Sequence, residues 1–542
     1  MEIIDLRSNS YSNIDFINYK NDVENLSIKY FETQIKSLKK FFEKDKLFLL
    51  SNLSSRSIHL NKISRLALFE KVLENYPKEK KTLFIVDSLF EKKILESLVA
   101  SKNHKLILKI SIKEIFTKIF IENIFINFLK SFYLISFFCV GSFLINQKIY
   151  GKKINFISSN YHISSIAGTK YECRYFGDKT KFLPKKNFYN LYNLQDAYNF
   201  NDLRKIKINS DRNSYFVELN LSLVDYFSVL GLSIFPLWMS LRYAFNSKKK
   251  LKNFYFSFLL ASETFSTSIL RNLCQIKFYR RLKINNSQII NFFDWYEGLP
   301  LNTAKIIGVK KYFPNANFIG HYGATGETIN PANSLSSFDE KLRINPDKVS
   351  FKGKIFLDNA MQISSLKEKF ISGPDFRFKS IYQKKLFNES TKLCLVLPYY
   401  DDEALNLCKF YGEVTSMKVC VKLHPVARYK KTQRYLKSNE HLFNEIKFSP
   451  IEEGNYSHIL TIGSGLSLEA YMKGIVVGIL SSSNFFTLDH LVNIAEPEEY
   501  KVVTDKNSFY RFMDLNPNPY RVVGHLSNFP DRDSIINYFS IL

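Results

Sequence analysis

Short, uninterrupted apolar runs that alternate with helical segments are the feature of this sequence that most constrains its fold. In the last third of the chain, four such runs read TKLCLVLP, MKVCVKL, SHILTI and GIVVGIL. The segments DEALNLCKFYGE and SLEAYMK, which have helical character, each lie between two of these runs. Strands that are apolar on both faces are typical of a parallel sheet covered by helices. We therefore predict a doubly wound parallel α/β domain here.

The same alternation occurs earlier in the chain. A helical segment over 65–76 precedes the strand TLFIVD, and the helix EKKILESLVAS precedes the strand KLILKI. Further along, QIINFF and NFIGHYG flank the helical segment NTAKIIGVKKYF. These patterns predict a second α/β domain, so we expect two doubly wound parallel-sheet domains that face a cleft.

The expected domain organisation has four parts. The first part of the N-terminal α/β domain spans 1–115, and a helical insertion in the N-terminal half spans 116–250. The N-terminal domain then resumes over 251–345. The C-terminal α/β domain covers 346–542.

Two apolar stretches lie within the predicted insertion. They read SFYLISFFCVGSFLI (131–145) and YFSVLGLSIFPLWMSL (226–241), and basic residues flank both. The first stretch is shorter than the roughly 20 residues that span a bilayer. Three interpretations stay open: buried core helices, helices lying in the interface of an anionic membrane, and membrane spans.

Charge and composition narrow the class of protein. Of 542 residues, 76 are Lys or Arg and 51 are Asp or Glu, which gives a net charge of +25 and favours anionic partners. Hydrophobic residues make up 45% of the chain, which excludes a disordered protein. Six cysteines without a CxxC pair argue against a disulfide scaffold and a structural zinc site. The polar start MEIIDLRSNSYSNIDF predicts no cleaved secretory signal and a cytoplasmic protein.

Candidate binding residues follow two of the C-terminal strands. Lys422 and His424 lie at the end of MKVCVKL and would share one face of the strand. After SHILTI comes a Gly-Ser-Gly turn at 463–465, which permits close approach of a ligand to the backbone at the start of a helix. The alternative for both segments is purely structural: an ordinary strand-to-helix turn and a histidine without a function.

Acidic residues follow two other strands. Glu297 follows QIINFF and could be an acid near a helix N-terminus stabilised by the helix dipole. Asp401, Asp402 and Glu403 precede ALNLCKF, and we interpret them as acids of the first helical turn rather than as a metal site.

The ordered set of motifs resembles a known family. KLHP, followed about forty residues later by TIGSGLSLEA and GIVVGIL, resembles the C-terminal domain of GT-B glycosyltransferases that build bacterial surface polysaccharides. That group includes capsule, lipopolysaccharide and polysialic-acid enzymes, with CDP-glycerol glycerophosphotransferases as relatives. NFFDWYEGLPLNTAKIIGVKKYFPNANFIGHYGAT is similar to their amino-side segment. The resemblance covers roughly residues 285–485 and implies a GT-B-like fold. It also implies that 251–345 is the acceptor side and that the C-terminal domain, 346–542, binds the nucleotide sugar.

The resemblance also implies roles for individual residues. The donor phosphates would be held by Lys422, His424 and Ser464, and Gly463 and Gly465 would allow their approach. Ser467 would support this loop and Glu469 would hold the ribose. Glu297 would be the general base, with His321 as its rival, because GHYG stands where many relatives have a Gln-His or Trp-His pair.

The implied function is a metal-independent glycosyltransferase that moves a sugar from a nucleotide-activated donor to a surface-polysaccharide or lipid-linked acceptor. It would need no cofactor beyond this substrate. It would work at the inner face of the cell membrane, with the anionic membrane surface as a further partner. A glycerophosphotransferase or a sugar-nucleotide epimerase on the same fold is the alternative. A basic nucleic-acid-binding protein is the non-enzyme alternative, although no recognition motif supports it and we expect no nucleic-acid partner.

Overall fold

The computed structural model describes residues 2–5, 82–85, 124–145 and most of 153–540. Within that last range the residues not described are 164–165, 168–169, 172, 174, 177–182, 184–187, 196–198, 210–212, 247–259, 324–334, 336, 377–392, 425–426, 428, 447–455, 482–490, 492–493, 497, 519–525 and 529–530. The predicted helix over 65–76 and the predicted strand KLILKI lie outside the described residues.

Two large sheets, both entirely parallel, organise the described chain. The seven-stranded sheet has the order β11-β10-β9-β8-β3-β6-β7, and the six-stranded sheet has the order β14-β13-β12-β15-β16-β17. The strands of the first are β3 (Lys153–Tyr161), β6 (Phe188–Leu194), β7 (Ser214–Phe216), β8 (Gln288–Trp295), β9 (Asn317–Tyr322), β10 (Lys348–Phe351) and β11 (Phe370–Ser372). The strands of the second are β12 (Leu393–Val396), β13 (Val419–Lys422), β14 (Phe443–Ile446), β15 (His458–Thr461), β16 (Val476–Leu480) and β17 (Tyr500–Val503). Two small pairs accompany them: β1 (Glu2–Asp5) with β2 (Thr82–Ile85), and β4 (Ile166–Ala167) with β5 (Lys170–Tyr171).

Helices connect and cover these strands. The described helices are α1 (Ile126–Ile145), α2 (Phe200–Asn209), α3 (Leu223–Leu232), α4 (Phe235–Asn246), α5 (Thr267–Ile284), α6 (Pro300–Tyr312), α7 (Ser337–Lys341), α8 (Lys354–Ile363), α9 (Asp401–Val414), α10 (Lys431–Ser438), α11 (Leu466–Met472), α12 (Lys506–Met513) and α13 (Arg532–Ser540). Short 3₁₀ turns occupy Val217–Leu219 and Lys367–Lys369. Two parallel-sheet α/β domains confirm the predicted fold class, an α/β, GT-B-like architecture.

The strand order reverses once in each sheet. In the first sheet the chain runs from β3 outward to β6 and β7, then returns beside β3 as β8 and continues outward through β9 to β11. In the second sheet it runs from β12 to β13 and β14, then returns beside β12 as β15. Ligands of such sheets bind beyond the carboxyl ends of the strands where the order reverses. A ligand-binding site is therefore expected beyond the ends of β3 and β8, and beyond those of β12 and β15.

The segment 116–250, predicted as a helical insertion, is only partly helical. It contributes β3, β6 and β7 to the seven-stranded sheet, and β3 lies near its centre. These strands are rich in Asn, Ser and Tyr, so they lack a continuous apolar run. A row of asparagines crosses the sheet from β3 to β9: Asn291 of β8 donates to Asn155 of β3 at 3.0 Å, and Asn317 of β9 donates to Asn291 at 3.0 Å.

The boundary predicted between 345 and 346 is also displaced. Strand β10 pairs with β9 and β11 pairs with β10, so the first domain continues to residue 376 of the described chain. Helix α13 then returns to this domain from the end of the chain. Its Tyr538 and Phe539 pack with Phe293, Trp295 and other buried residues of the seven-stranded sheet. A boundary of this kind depends on strand pairing, which local sequence patterns do not encode.

The predicted strands of the last third are confirmed with small changes in their ends. TKLCLVLP, MKVCVKL, SHILTI and GIVVGIL form β12, β13, β15 and β16. QIINFF and NFIGHYG form β8 and β9, and TLFIVD contains β2. The helical segments between them form α6, α9 and α11.

The two apolar stretches form helices of the first domain. By length and composition, the helical segments Ile126–Ile145 and Leu223–Arg242 could each cross a membrane, and 33% of each is buried inside the protein. Neither segment is therefore an enclosed core helix. Each has one face packed on the protein and another open to solvent.

Candidate functional site

The carboxyl edge of the six-stranded sheet brings three segments together. Strand β12 ends before Pro398 and the exposed pair Tyr399 and Tyr400, and β15 on one side ends before the Gly-Ser-Gly turn. Strand β13 on the other side ends at Lys422, which pairs in register with Val396. Parallel pairing therefore places the predicted donor-binding residues on both sides of the end of β12.

His424 is held beside this central strand. Its backbone N–H donates to the Tyr429 hydroxyl at 3.1 Å, and that hydroxyl donates to the carbonyl of Pro398 at 2.6 Å. The His424 ring lies edge-on to Tyr399, with ring centroids 5.6 Å apart. The imidazole is partly exposed, so it can meet a ligand at this edge. Tyr429 is buried, and burial raises the pKa of its phenol, which keeps it a neutral donor.

The Gly-Ser-Gly turn has the conformation that its glycines permit. Gly463 has a φ of 59°, a left-handed conformation that residues with a side chain rarely adopt. Gly465 is the N-cap of α11, and the backbone N–H of Leu466, the first residue of this helix, donates to the Ser464 hydroxyl at 3.4 Å. Ser464 is partly exposed. Ser467 is fully buried, and its Oγ has no hydrogen-bond partner among the described residues.

Glu469 and Lys422 are partly exposed. The Glu469 carboxylate lies 3.5 Å from the buried ammonium of Lys473, one helical turn further along α11. This ion pair holds the carboxylate at the start of the helix, where it remains open to solvent. Lys422 and His424 are two residues apart along an extended segment and so share a face.

The carboxyl edge of the seven-stranded sheet carries Glu297, two residues beyond the end of β8. Its carboxylate accepts a hydrogen bond from the Trp295 indole at 2.8 Å. Its backbone N–H donates to the Asn302 side chain at 3.2 Å, and Gly298 follows with a φ of 64°. These contacts hold Glu297 at the end of a strand where the strand order reverses, and Glu297 is partly exposed there.

Asn302 organises the loop that carries Glu297. Its carbonyl oxygen also accepts from the backbone of Leu299 at 3.0 Å, and its amide donates to Asp294 at 2.7 Å and to the Trp295 carbonyl at 2.9 Å. Asp294 is fully buried and lies 2.6 Å from the buried ammonium of Lys305 on α6. Burial raises the pKa of Asp294, and Lys305 opposes this effect. The sequence did not single out this ion pair, although DWYEGLPLNTAK contains both residues.

His321, the rival base, is fully buried. Its Nδ1 lies 2.8 Å from the Ser350 hydroxyl, which in turn lies 2.8 Å from the Tyr538 hydroxyl. Aromatic rings surround it, with Phe376 at a centroid distance of 4.8 Å and Trp295 at 5.7 Å. Among the described residues, His321 is therefore enclosed, whereas Glu297 is partly exposed.

His162 is a residue at this edge that sequence reasoning missed. It follows β3, the neighbour of β8, and is partly exposed. Its Nε2 lies 2.8 Å from the Tyr175 hydroxyl, and the Tyr175 ring lies 4.9 Å from that of Trp295. The available signal was a histidine at the end of a strand, but the polar sequence of β3 concealed the strand.

The acidic residues before ALNLCKF occupy the first turn of α9, as predicted. The Asp401 carboxylate accepts from the backbone N–H groups of Lys430, Lys431 and Thr432 at 2.8–3.0 Å. It thereby satisfies the N-terminus of α10, the helix that follows His424. Asp402 lies 2.7 Å from the Lys431 ammonium in an exposed ion pair.

Comparison with known proteins gives structural neighbours only. No protein-family model matches the chain, and a search of curated proteins finds no match. The chain is similar to a UDP-GlcNAc 2-epimerase from Neisseria meningitidis bound to UDP-GlcNAc, at 11% identity and a TM-score of 0.37, covering 72% of this chain and 100% of that one. It is also similar to a putative UDP-N-acetylglucosamine 2-epimerase from Listeria monocytogenes, at 11% identity and a TM-score of 0.40, covering 72% of this chain and 98% of that one. A third similar structure is S. aureus MnaA with UDP, at 9% identity and a TM-score of 0.39, covering 72% of this chain and 97% of that one.

Proposed function

We propose that the chain is an enzyme acting on a nucleotide-activated sugar, and specifically a metal-independent glycosyltransferase. The observation that carries the proposal is the complementary chemistry at the two places where strand order reverses. One edge presents His424 beside the turn at 463–465, which suits an anionic diphosphate. The other presents the carboxylate of Glu297, which suits the removal of a proton.

In this mechanism the donor binds to the six-stranded domain. Lys422 and His424 contact the phosphates from one side, and Ser464 with the Gly463 and Gly465 backbone contacts them from the other. The exposed rings of Tyr399 and Tyr400 offer flat surfaces on which a nucleobase or sugar can stack. Glu469, fixed by Lys473, accepts hydrogen bonds from the ribose hydroxyls.

The acceptor enters from the seven-stranded domain, across the cleft between the two edges. Glu297 removes the proton of the acceptor hydroxyl as that oxygen attacks the anomeric carbon and the nucleotide leaves. The Trp295 indole orients the carboxylate by its hydrogen bond, and Asn302 fixes the loop. The leaving diphosphate keeps its contacts with His424 and Lys422, which stabilise the charge that develops on it.

A screen of UDP-, GDP-, CMP- and CDP-linked sugars tests this proposal, with calorimetry for binding and release of free nucleotide for turnover. Saturable binding of one donor class, with nucleotide release that increases when a glycan acceptor is added, is the expected result. Conversion of the donor sugar into its epimer without an acceptor would assign the epimerase alternative. Equal, salt-sensitive affinity for random DNA would overturn the enzyme assignment.

A further inference from the structure

Helix α1 presents an apolar stripe to solvent. Its exposed side chains recur every three or four residues along the helix, so they form one continuous face. With the residue that precedes the helix, these are Phe125, Ile126, Leu129, Phe132, Tyr133, Val140, Phe143 and Leu144, between 37% and 68% exposed. Contiguous apolar surface of this extent marks an interaction site in a water-soluble protein.

Helices α3 and α4 present a second stripe of the same kind. Its members are Val224, Phe227, Ile234, Trp238 and Leu241, between 48% and 77% exposed. Gly231 continues the line, and a side chain built there would meet nothing within 4 Å. The spacing again follows the helical repeat, so these exposures belong to one face rather than to scattered residues.

The opposite faces of these helices are fixed to the protein. In α1, Phe138 is fully buried, and a side chain at Gly141 would clash with Leu219 and Leu203. The Tyr226 hydroxyl of α3 donates to the carbonyl of Phe138 at 3.1 Å, which joins the two helices. A helix packed in this way along one side cannot enter a bilayer end-on without unfolding the domain. The exposed faces can enter only side-on, to the depth of their side chains.

The charges exposed on the helices that carry the stripes, and on α2, have one sign. The exposed charged residues of α1 to α4 are Lys130, Arg204, Lys205, Lys207 and Arg242, all basic. The acidic residues of these helices are covered: Asp202 is buried, and the half-buried Asp225 caps α3 and lies 3.9 Å from Arg281. An anionic bilayer surface matches this pattern, because Lys and Arg near such a surface add to apolar burial. A symmetric dimer through this face would bring the same basic residues toward each other.

We propose that the exposed stripes of α1 and α3–α4 form a membrane-docking face that lies side-on in the interface of an anionic lipid bilayer. Apolar and aromatic side chains enter the boundary between headgroups and acyl chains, and the flanking basic residues contact lipid phosphates. This face belongs to the seven-stranded domain, so a docked protein would keep that domain next to lipid-linked molecules. The docking does not depend on the nucleotide-sugar proposal.

Tryptophan fluorescence provides the test, because the sequence has two tryptophans and they differ in exposure. Trp238 is 60% exposed in the docking face, whereas Trp295 is 3% exposed in the core. Vesicles of phosphatidylglycerol mixed with phosphatidylcholine should shift the emission to the blue, and brominated lipids should quench it. Pure phosphatidylcholine should do so much less. The Trp238→Phe variant should lose the response while still sedimenting with the anionic vesicles.

Replacing exposed apolar side chains of the docking face by aspartate completes the experiment. The double variant Val224→Asp/Phe227→Asp should bind anionic vesicles at least about tenfold more weakly. Met417→Asp, at a side chain 59% exposed in the other domain, is the matched control and should bind normally. Unchanged binding of the double variant, or no vesicle binding by the native chain, overturns the proposal. So does a solution dimer that this variant dissociates, and so does a protein that resists extraction by both high salt and alkaline carbonate.

Discussion

At the carboxyl edge of the seven-stranded sheet, Asp294, His321 and Ser350 are fully buried and bonded to other protein groups. At the corresponding edge of the six-stranded sheet, His424 and Ser464 are partly exposed and Tyr399 is 56% exposed. Polar groups of the first edge thus act mainly on one another, and Trp295 and Asn302 hold the partly exposed Glu297. Those of the second edge remain available to a ligand.

This difference teaches that a polar residue at a strand end is not by itself a binding residue. Burying a polar group is tolerated only when it is paired, so the first edge stabilises a fixed loop. Partly exposed polar groups stay in contact with solvent, so they avoid this desolvation cost and can exchange bound water for a ligand. Four substitutions test the distinction, from the largest expected effect to the smallest.

Glu297→Gln should remove the carboxylate that we propose as the base at the first edge. The amide keeps the shape and can still accept a hydrogen bond from Trp295, but it cannot take up a proton. We expect turnover to fall by about 10²–10⁴-fold with donor affinity unchanged, as single-turnover kinetics and calorimetry would measure.

His321→Gln is the control for that assignment. Because His321 is enclosed by aromatic rings, its loss should lower the melting temperature more than the chemical step. If turnover disappears in a folded His321 variant and survives in Glu297→Gln, then His321 is the base.

Lys305→Met should leave the Asp294 charge buried without its partner. Breaking a buried pair typically costs about 3–5 kcal/mol, which urea unfolding would measure. Burial raises the pKa of Asp294 and Lys305 opposes this, so the variant raises the folded-state pKa further above the unfolded one. A raised carboxyl pKa costs stability as the pH rises above the unfolded value, so the loss should be larger at neutral pH than at about pH 4.

The double variant Asp294→Leu/Lys305→Met separates charge from packing. It removes both charges, so it should recover part of the stability that the single variant loses. A double variant less stable than Lys305→Met at neutral pH would show that the ion pair is not the cause.

His424→Ala should test the partly exposed carboxyl edge of the six-stranded sheet. Loss of a charge-assisted contact to phosphate should weaken nucleotide binding by about 1.5–3 kcal/mol, without a matching loss of stability. His441→Ala, at an exposed histidine of the same domain, should bind normally. Equal affinity of both variants would remove His424 from the site.

Asp401→Ala should have the smallest effect on stability, since this carboxylate supports the carboxyl edge of the six-stranded sheet only indirectly, through α10. Partial burial opposes ionisation of Asp401, but the N–H groups of Lys430, Lys431 and Thr432, with the Thr432 hydroxyl, hold its pKa below the usual value. We expect a loss of about 1 kcal/mol at neutral pH, by analogy with helix caps.

The pH dependence of that loss has a definite sign. A lowered pKa contributes stability above the unfolded value, and this contribution disappears as the pH falls through the folded value. The difference between native protein and Asp401→Ala should therefore shrink in acid. Asp402→Ala, which removes only an exposed ion pair, should cost less at every pH. Equal losses would contradict the capping role.

Much of the site followed from local sequence. Continuous apolar runs predicted β8, β9, β12, β13, β15 and β16, and parallel pairing alone places His424 and the turn at 463–465 at one edge. The Gly-Ser-Gly sequence predicted a turn that permits close approach of a ligand to the backbone, and Gly463 there has a φ of 59°. Neither Asn302, which holds the Glu297 loop, nor His162 carried a comparable local signal.

By itself the sequence determined the elements whose apolar periodicity is local, and hence two parallel-sheet α/β domains with polar residues beyond their strands. Tertiary structure alone decided that β3, β6 and β7 belong to the first sheet, because their apolar and tyrosine side chains reach the core although polar residues interrupt the apolar run along each strand. It also decided that His321 is enclosed and Glu297 partly exposed, since exposure depends on Trp295, Phe376 and the returning helix α13. Burial is a property of neighbours distant in the chain, which no local pattern specifies.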